Sequence, residues 1–488
     1  MRELRKHQTD ALHLLRQSLG KGNRKVMVQA PTGFGKTVLA SHIVAGAIAK
    51  GNRVCFVVPA LSLIDQTVQS FYDDGITDVG VIQADHPMTN PSMPVQVASI
   101  QTIARRDYNR MSFKLVVVDE AHVLYKAMIQ WMADWNAIPF VGLSATPWTR
   151  GLGKHYDDLV VAASTQDLID SNYLSNFRVF APSHPDLSGV RTVAGDYHEG
   201  DLSKAMQAGA LVAGIVSTWK DKGENRPTLA FGVDRAHAKS IQANFQSAGI
   251  TCGYIDAFTP LEERQEIAND FHAGKFQIVS NVGCLTTGID WDVRCIILAR
   301  PTKSEILFTQ IIGRGLRTAN GKNDCLILDH SDTHLRLGFV TDITHKELCD
   351  GSKREAKTRE AGEALPKECP SCAFLKAPKV HKCPSCGFAP ERVTNVETVS
   401  GSLRELTKRK EILNRKTSTW EKSDFYGGLK TYARRKGYKS GWVANQYREK
   451  FGVWPNAFKD SPAVEPNAEV IGWIQHQRIK FVKGRKVA

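Results

Sequence analysis

The octapeptide Ala30-Pro31-Thr32-Gly33-Phe34-Gly35-Lys36-Thr37 constrains this chain more than any other stretch. It follows an apolar run of strand length, KVMVQ, and precedes a helical run, TVLASHIVAGAIA. A glycine-rich turn between a buried strand and a helix lets backbone N–H groups turn inward, so that a phosphate can sit at the helix N-terminus. Lys36 would neutralise β/γ charge there, and the Thr37 hydroxyl is placed to ligate Mg²⁺. With Thr32, Gly33 and Gly35 the segment fits a nucleotide P-loop, and the cofactors it implies are ATP and Mg²⁺.

The rest of the chain suits that loop. KVMVQA, RVCFVVPA, VQVAS, KLVVVDE and FVGLSAT read as buried parallel strands, each ending in turn or polar residues. They predict a doubly wound α/β domain over residues 1–165. PTLAFG, CGYID, FQIVSN, CIILAR and CLILD repeat the rhythm and predict a second over 166–350. Ligands of such sheets bind beyond the carboxyl ends of the strands, which is where chemistry should be sought. Residues 351–368 have few large apolar side chains and read as a linker, 369–390 form a cysteine segment, and 391–488 are basic and aromatic-rich.

Charge and cysteines narrow the class. The net charge is +14, and residues 351–488 carry 29 Lys+Arg against 14 Asp+Glu, leaving 35 against 36 in the remainder. A basic segment appended to a neutral body points to a polyanion. No apolar stretch reaches the roughly 18 residues a membrane span needs, and charge breaks every apolar run near the start. The expectation is a chain without signal peptide or membrane contact. Ten cysteines then suit a reducing, cytoplasmic setting.

KLVVVDEAH places Asp119 and Glu120 directly after a buried strand. Asp119 is positioned to hold Mg²⁺, and Glu120 is the candidate to orient and deprotonate an attacking water. Taken alone, such a pair could cap a helix. The box Asp119-Glu120-Ala121-His122, with the P-loop before it and Ser144-Ala145-Thr146-Pro147 after it, resembles the superfamily 2 helicases and translocases over residues 1 to about 350.

That resemblance implies tandem RecA-like domains, with Gln8 and Arg5 at the adenine, and His122, Ser144 and Thr146 linking ATP state to domain closure. Gln310-Ile-Ile-Gly313-Arg314-Gly-Leu-Arg317 is similar to the family's Q-x-x-G-R-x-x-R motif. It implies Arg317 as the finger on the transferring phosphoryl group, Arg314 as a second γ-phosphate contact and Gln310 beside them. Arginine suits the task because its planar fork is permanently charged. Thr286, Thr287, Gly288 and Asp290 are similar to a motif touching nucleotide and strand. Pro59, Gln66, Ser99, Gln101 and Thr102 fall where the first domain contacts nucleic-acid backbone, although loop capping explains such residues equally well. DEAH instead of DEAD, and SATPWTR, resemble DNA repair, restriction and phage branch-migration members, which favours DNA over RNA. Arg150 in that segment suits a nucleotide, backbone or salt-bridge role.

Cys369-Pro-Ser-Cys372 and Cys383-Pro-Ser-Cys386-Gly387 have the spacing of a four-thiolate Zn²⁺ site. Four sulfur ligands leave no position for substrate water, so this metal is structural; His381 reads as a surface residue. Farther on, Trp420, Phe425, Tyr426, Tyr432, Tyr438, Trp442, Tyr447, Phe451 and Trp454 interleave with Lys430, Arg434, Arg435, Lys436, Lys439, Arg448 and Lys450. Arg434, Arg435, Lys436 and Trp442 are candidate nucleic-acid contacts. The competing reading is a small helical domain whose aromatics form its core. KGYKSGWVANQYREKFGVWP resembles a segment at the end of phage and prophage helicases.

The expected whole is two RecA-like parallel-sheet domains, a small zinc ribbon and a basic C-terminal domain. The expected function is an ATP-dependent DNA helicase. Alternatives are a duplex or branched-DNA translocase, an RNA helicase, or a non-catalytic nucleic-acid-binding module.

Overall fold

The structure is a computed structural model in which residues 1–83, 85–106, 111–206, 209–286, 291–352, 365–390 and 419–484 are described. Strands β1 (Lys25–Gln29), β2 (Val54–Val58), β3 (Val79–Ile82), β4 (Val95–Ser99), β5 (Leu115–Asp119), β6 (Phe140–Ser144) and β7 (Asp158–Val161) form one sheet of order β3-β4-β2-β5-β6-β1-β7. Every pairing in it is parallel. All its strands but the edge strand β7 are largely buried on both sides. Val26, Val28, Phe56 and Val117 face one apolar cluster, while the alternate residues Met27, Cys55, Val57, Val116 and Val118 face another. This period of two, with helices covering each face, is why the runs read as continuously apolar.

A second parallel sheet follows the same plan. It contains β8 (Asn176–Phe180), then, after a short hairpin of β9 (Thr192–Val193) and β10 (Asp196–Tyr197), strands β11 (Thr228–Phe231), β12 (Cys252–Ile255), β13 (Ile278–Asn281), β14 (Cys295–Leu298) and β15 (Asp324–Asp329). Their order is β12-β13-β11-β14-β15-β8. Leu229, Phe231, Ile296 and Leu298 on one face join the same apolar cluster as the first sheet, and Ala230, Cys295, Ile297 and Leu326 form a core on the other. The two sheets therefore share one continuous interior.

Register sets the site. β1 and β6 pair with Gln29 opposite Ser144, and β5 and β6 with Asp119 opposite Leu143. The carboxyl ends of β1, β5 and β6 are level, so the P-loop, the Asp119-Glu120 pair and Ser144 lie side by side.

The ribbon is part of the same compact unit, Met1–Glu391. Its hairpin joins β16 (Lys367–Glu368) to β17 (Leu375–Lys376), so it begins inside the stretch that reads as linker. It docks on the edge strand β8. Ala181 N–H donates to the Ala373 carbonyl at 2.9 Å, Phe374 meets Phe180 edge-to-face at 5.4 Å, and Glu368 pairs with His184 at 2.9 Å.

The other unit, Arg392–Ala488, contains helices Thr419–Lys436, Ser440–Phe451 and Ala468–Gly484. Phe425, Tyr426, Leu429, Val443, Tyr447, Val470 and Ile474 form its core. Among the described residues no helix is long and apolar enough to cross a membrane.

Candidate active site

The P-loop has the backbone its glycines predict. Gly33 and Gly35 have φ of 79° and 82°, and Gly35 caps the Lys36–Ile48 helix from the left-handed region. Lys36 Nζ lies 2.8 Å from Asp119 Oδ1 and 2.5 Å from Glu120 Oε1. Burial works against the ammonium, but Asp119 and then Glu120 outweigh it and raise its pKa. Burial likewise pushes the Glu120 carboxyl up, yet Lys36 and then His122 prevail and hold it at about 2. Glu120 has φ of 49°, a left-handed turn that is costly for a side chain bearing a Cβ. That turn, braced by Glu120 N–H donating to Asp119 Oδ1 at 2.9 Å, aims consecutive carboxylates at one lysine.

Gln8 lies beneath the loop. Its amide nitrogen donates to the carbonyls of Phe34 (2.9 Å) and Gly35 (3.1 Å), and its oxygen accepts from Arg5 N–H at 2.8 Å. At 1% exposure it steadies the loop from behind and is absent from the cavity wall. Arg5 does reach the wall, stacked 4.4 Å over Tyr173.

The second domain enters through the Glu305–Leu316 helix. His122 Nδ1 is 2.9 Å from Ser144 Oγ and 3.3 Å from Glu120 Oε2, and His122 Nε2 is 3.4 Å from the Gln310 amide nitrogen. Ser144 Oγ also accepts from Thr146 N–H at 3.0 Å. In the Nδ1–H tautomer the imidazole donates toward Glu120 and Ser144 and accepts from Gln310. One residue thus joins the acidic pair to the opposite domain. Gly313 explains the close approach: a Cβ there would lie 2.4 Å from Thr32 Oγ1, and one on Gly315 would lie 2.4 Å from Cys325 Sγ. One glycine admits the P-loop and the other seats the helix on its own sheet.

Arg314 and Arg317 line a cavity of about 560 Å³ together with Thr32, Gly33, Gly35, Lys36, Thr37, Asp119 and Glu120. Thr37 is exposed there and is available to a cation beside Asp119. Pro59 and Gln66 also reach this wall, and Gln101 Nε2 donates to the Pro59 carbonyl at 3.1 Å. Arg317 leaves the helix in an extended conformation, its backbone bridged to Leu174. Its carbonyl accepts from Lys322 Nζ at 2.6 Å; the same ammonium bonds the carbonyls of Gly315 and Val293. Lys322 is a positioning residue that sequence reasoning missed, although a cation just past a helix end is a signal that could have found it. Tyr173 gave no comparable signal.

The other candidate residues are placed as follows. Ser99 is fully buried, with its hydroxyl accepting from Thr102 N–H at 3.2 Å, so it caps the next turn and leaves Thr102 nearer the surface. The Thr286 hydroxyl donates to the Gly283 carbonyl at 2.7 Å. Thr287, Gly288 and Asp290 lie outside the described residues. Arg150 donates to the Gly351 carbonyl at 2.9 Å, a structural tie away from the cavity. In the C-terminal unit Phe425, Tyr426 and Tyr447 are core, as the competing reading has it. Trp442 is half-buried between Tyr432 and Tyr438, Arg434 and Lys436 are exposed, and Arg435 pairs bidentately with Glu465 at 2.7 Å.

The sulfur atoms of Cys369, Cys372, Cys383 and Cys386 all lie within 4.8 Å of one another, with Cys369–Cys386 and Cys372–Cys383 each 3.7 Å apart. A tetrahedron with zinc–sulfur bonds of about 2.3 Å has edges of about 3.8 Å, so the cluster fits Zn²⁺. His381 is exposed and outside it. The expected result of elemental analysis is about one zinc per chain, with Cys383→Ser losing most of it and exposing residues 365–390 to limited proteolysis.

Residues 1–149 match the family model "Type III restriction enzyme, res subunit", and residues 210–319 match "Helicase conserved C-terminal domain". The two matches indicate a superfamily 2 helicase. The chain is 31% identical over 353 residues to "Putative ATP-dependent helicase IRC3" of Saccharomyces cerevisiae, an alignment covering 67% of this chain and 51% of that protein. It is 28% identical over 374 residues to the "51.5 kDa protein" of Lactococcus phage isolate 7-9, covering 74% and 77%. The matched region thus spans about half the length of the yeast relative. A fragment described as a "putative HsdR subunit of a type I restriction enzyme" from Vibrio vulnificus YJ016 superposes with a TM-score of 0.56 at 19% identity over 72% of this chain and 67% of that one, which speaks to the fold alone.

Proposed function

We propose that this chain is a DEAH-type superfamily 2 motor that hydrolyses ATP to move along DNA and unwind it. The observation that carries this reading is the cavity walled by Lys36, Asp119 and Glu120 from one domain and by Arg314 and Arg317 from the other. A ligand can drive domain motion only by binding the closed and open arrangements differently, and a phosphate site shared between domains supplies that difference. Lys36, released from its carboxylate clasp, would hold β/γ oxygens, and Glu120 would then be free to accept a proton from water. Thr37 and Asp119 would hold Mg²⁺, which when bound screens phosphate charge. His122 would report occupancy to Gln310. The SATPWTR segment and the restriction-enzyme match support DNA as the track. Thr102, the Thr286 loop and the Arg434, Lys436 and Trp442 surface are proposed contacts, with Arg435 tied to Glu465.

ATPase rates with single-stranded DNA, duplex, forks and RNA as alternative activators test the reading; DNA is expected to stimulate most, and no stimulation by any of them would overturn it. Arg434→Glu with Lys436→Glu should flatten the slope of log affinity against log salt by about 0.9 per lost duplex phosphate contact. An unchanged slope would remove that surface from the interface.

A further inference from the structure

Phe258 and Leu261 are 75% and 77% exposed, the most exposed large apolar side chains among the described residues. Phe258 lies on the loop that follows β12, and Leu261 is the first residue of the helix Leu261–His272 that the loop leads into. That loop is held rigidly. Asp256, 4% exposed, accepts from the N–H groups of Phe258 (2.9 Å) and Thr259 (3.0 Å), from Tyr254 Oη (2.8 Å) and from Arg235 Nε (2.7 Å). Arg264 clamps the carbonyls of Asp256 and Thr259 at 2.7 and 3.0 Å. The Arg235 guanidinium lies 4.9 Å from the Phe258 ring centre, so the ring is propped outward against one cation. Rigid display of apolar surface to water costs stability unless something covers it.

Position and charge say what covers it. β12 is the edge strand of its sheet, and the loop leaves its carboxyl end beside the segment bearing Cys284 and Thr286, with Cys284 Sγ 3.5 Å from the Ile255 carbonyl. If a strand passes Thr286, as proposed above, this contact puts the Phe258 loop beside its path. The loop is a poor grip for phosphates, because Arg235 is paired with Asp256 and the first turn of the next helix carries Glu262 and Glu263. An apolar ring with balanced charge around it suits the face of a base pair, and apolar side chains placed against base steps unstack duplexes.

We infer that Phe258, backed by Leu261, is a separation wedge that packs against the last base pair of a duplex while one strand continues past the Thr286 loop. The inference rests on the proposed motor function and selects strand separation over duplex translocation. Forked-DNA unwinding is measured beside single-stranded-DNA-stimulated ATPase in the full chain. Phe258→Ala should lower unwinding by about tenfold or more while hydrolysis stays within about twofold, and Phe258→Trp should keep both. The side chain is exposed, so the fold tolerates either change. Native unwinding by Phe258→Ala, or a parallel fall in both activities, would overturn the wedge. A native chain that DNA stimulates but that unwinds nothing would also overturn it. A native chain that no nucleic acid stimulates would sink the motor reading instead, and the wedge with it.

Discussion

Glu120→Gln is expected to retain ATP binding and to hydrolyse ATP about 10²- to 10⁴-fold more slowly in the presence of DNA, the range associated with losing a positioned general base. In the free site the Glu120 carboxylate is held at about 2 by Lys36 and His122, which makes it a poor proton acceptor. It is also bonded to Lys36 at 2.5 Å. In the proposed mechanism phosphate oxygens would compete for that ammonium, so nucleotide entry would remove the stronger of the two lowering influences and leave His122. The proposed base would then be strengthened only when there is something to hydrolyse. Glutamine keeps the shape but cannot take a proton. Single-turnover hydrolysis measured beside nucleotide binding separates the two effects, and native hydrolysis by the variant would exclude Glu120 as the base.

Arg317→Ala is expected to slow hydrolysis by about 10³- to 10⁵-fold, the span seen when an arginine finger is supplied or withheld in other nucleotide hydrolases. Arg317→Lys should recover little, because a point charge cannot fork across two oxygens. The backbone of this residue is fixed by Lys322 and by the bridge to Leu174, so only its side chain has to reach the phosphoryl group. Native turnover in Arg317→Ala, measured under saturating ATP and DNA, would assign the role elsewhere.

The parts of this site that were legible in the sequence are those whose geometry is local. A strand, a glycine turn and a helix are consecutive in the chain, so Gly33, Gly35, Lys36 and Thr37 could be placed before any coordinates. Asp119 and Glu120 were legible for the same reason, sitting where a buried strand runs out. The four cysteines were legible because tetrahedral thiolate coordination imposes its own spacing. Gln8 was less so: the loop that turns its N–H groups inward turns the Phe34 and Gly35 carbonyls toward the helix Lys6–Gly20, which bears Gln8, and those carbonyls bind the amide. The approach of Gly313 to Thr32 and the cap by Lys322 depend on packing between segments hundreds of residues apart or on where a helix stops. The C-terminal aromatics were ambiguous because helical spacing serves a core and a stacking surface equally, and the structure gives Tyr447 to the first and leaves Trp442 between the two.

The ribbon is fastened to β8 by a backbone hydrogen bond, an aromatic contact and an ion pair. It is therefore freight on the second lobe, with no joint of its own at that seam. In the proposed motor, each opening and closing would swing it like an oar blade, together with whatever clings to its outer side.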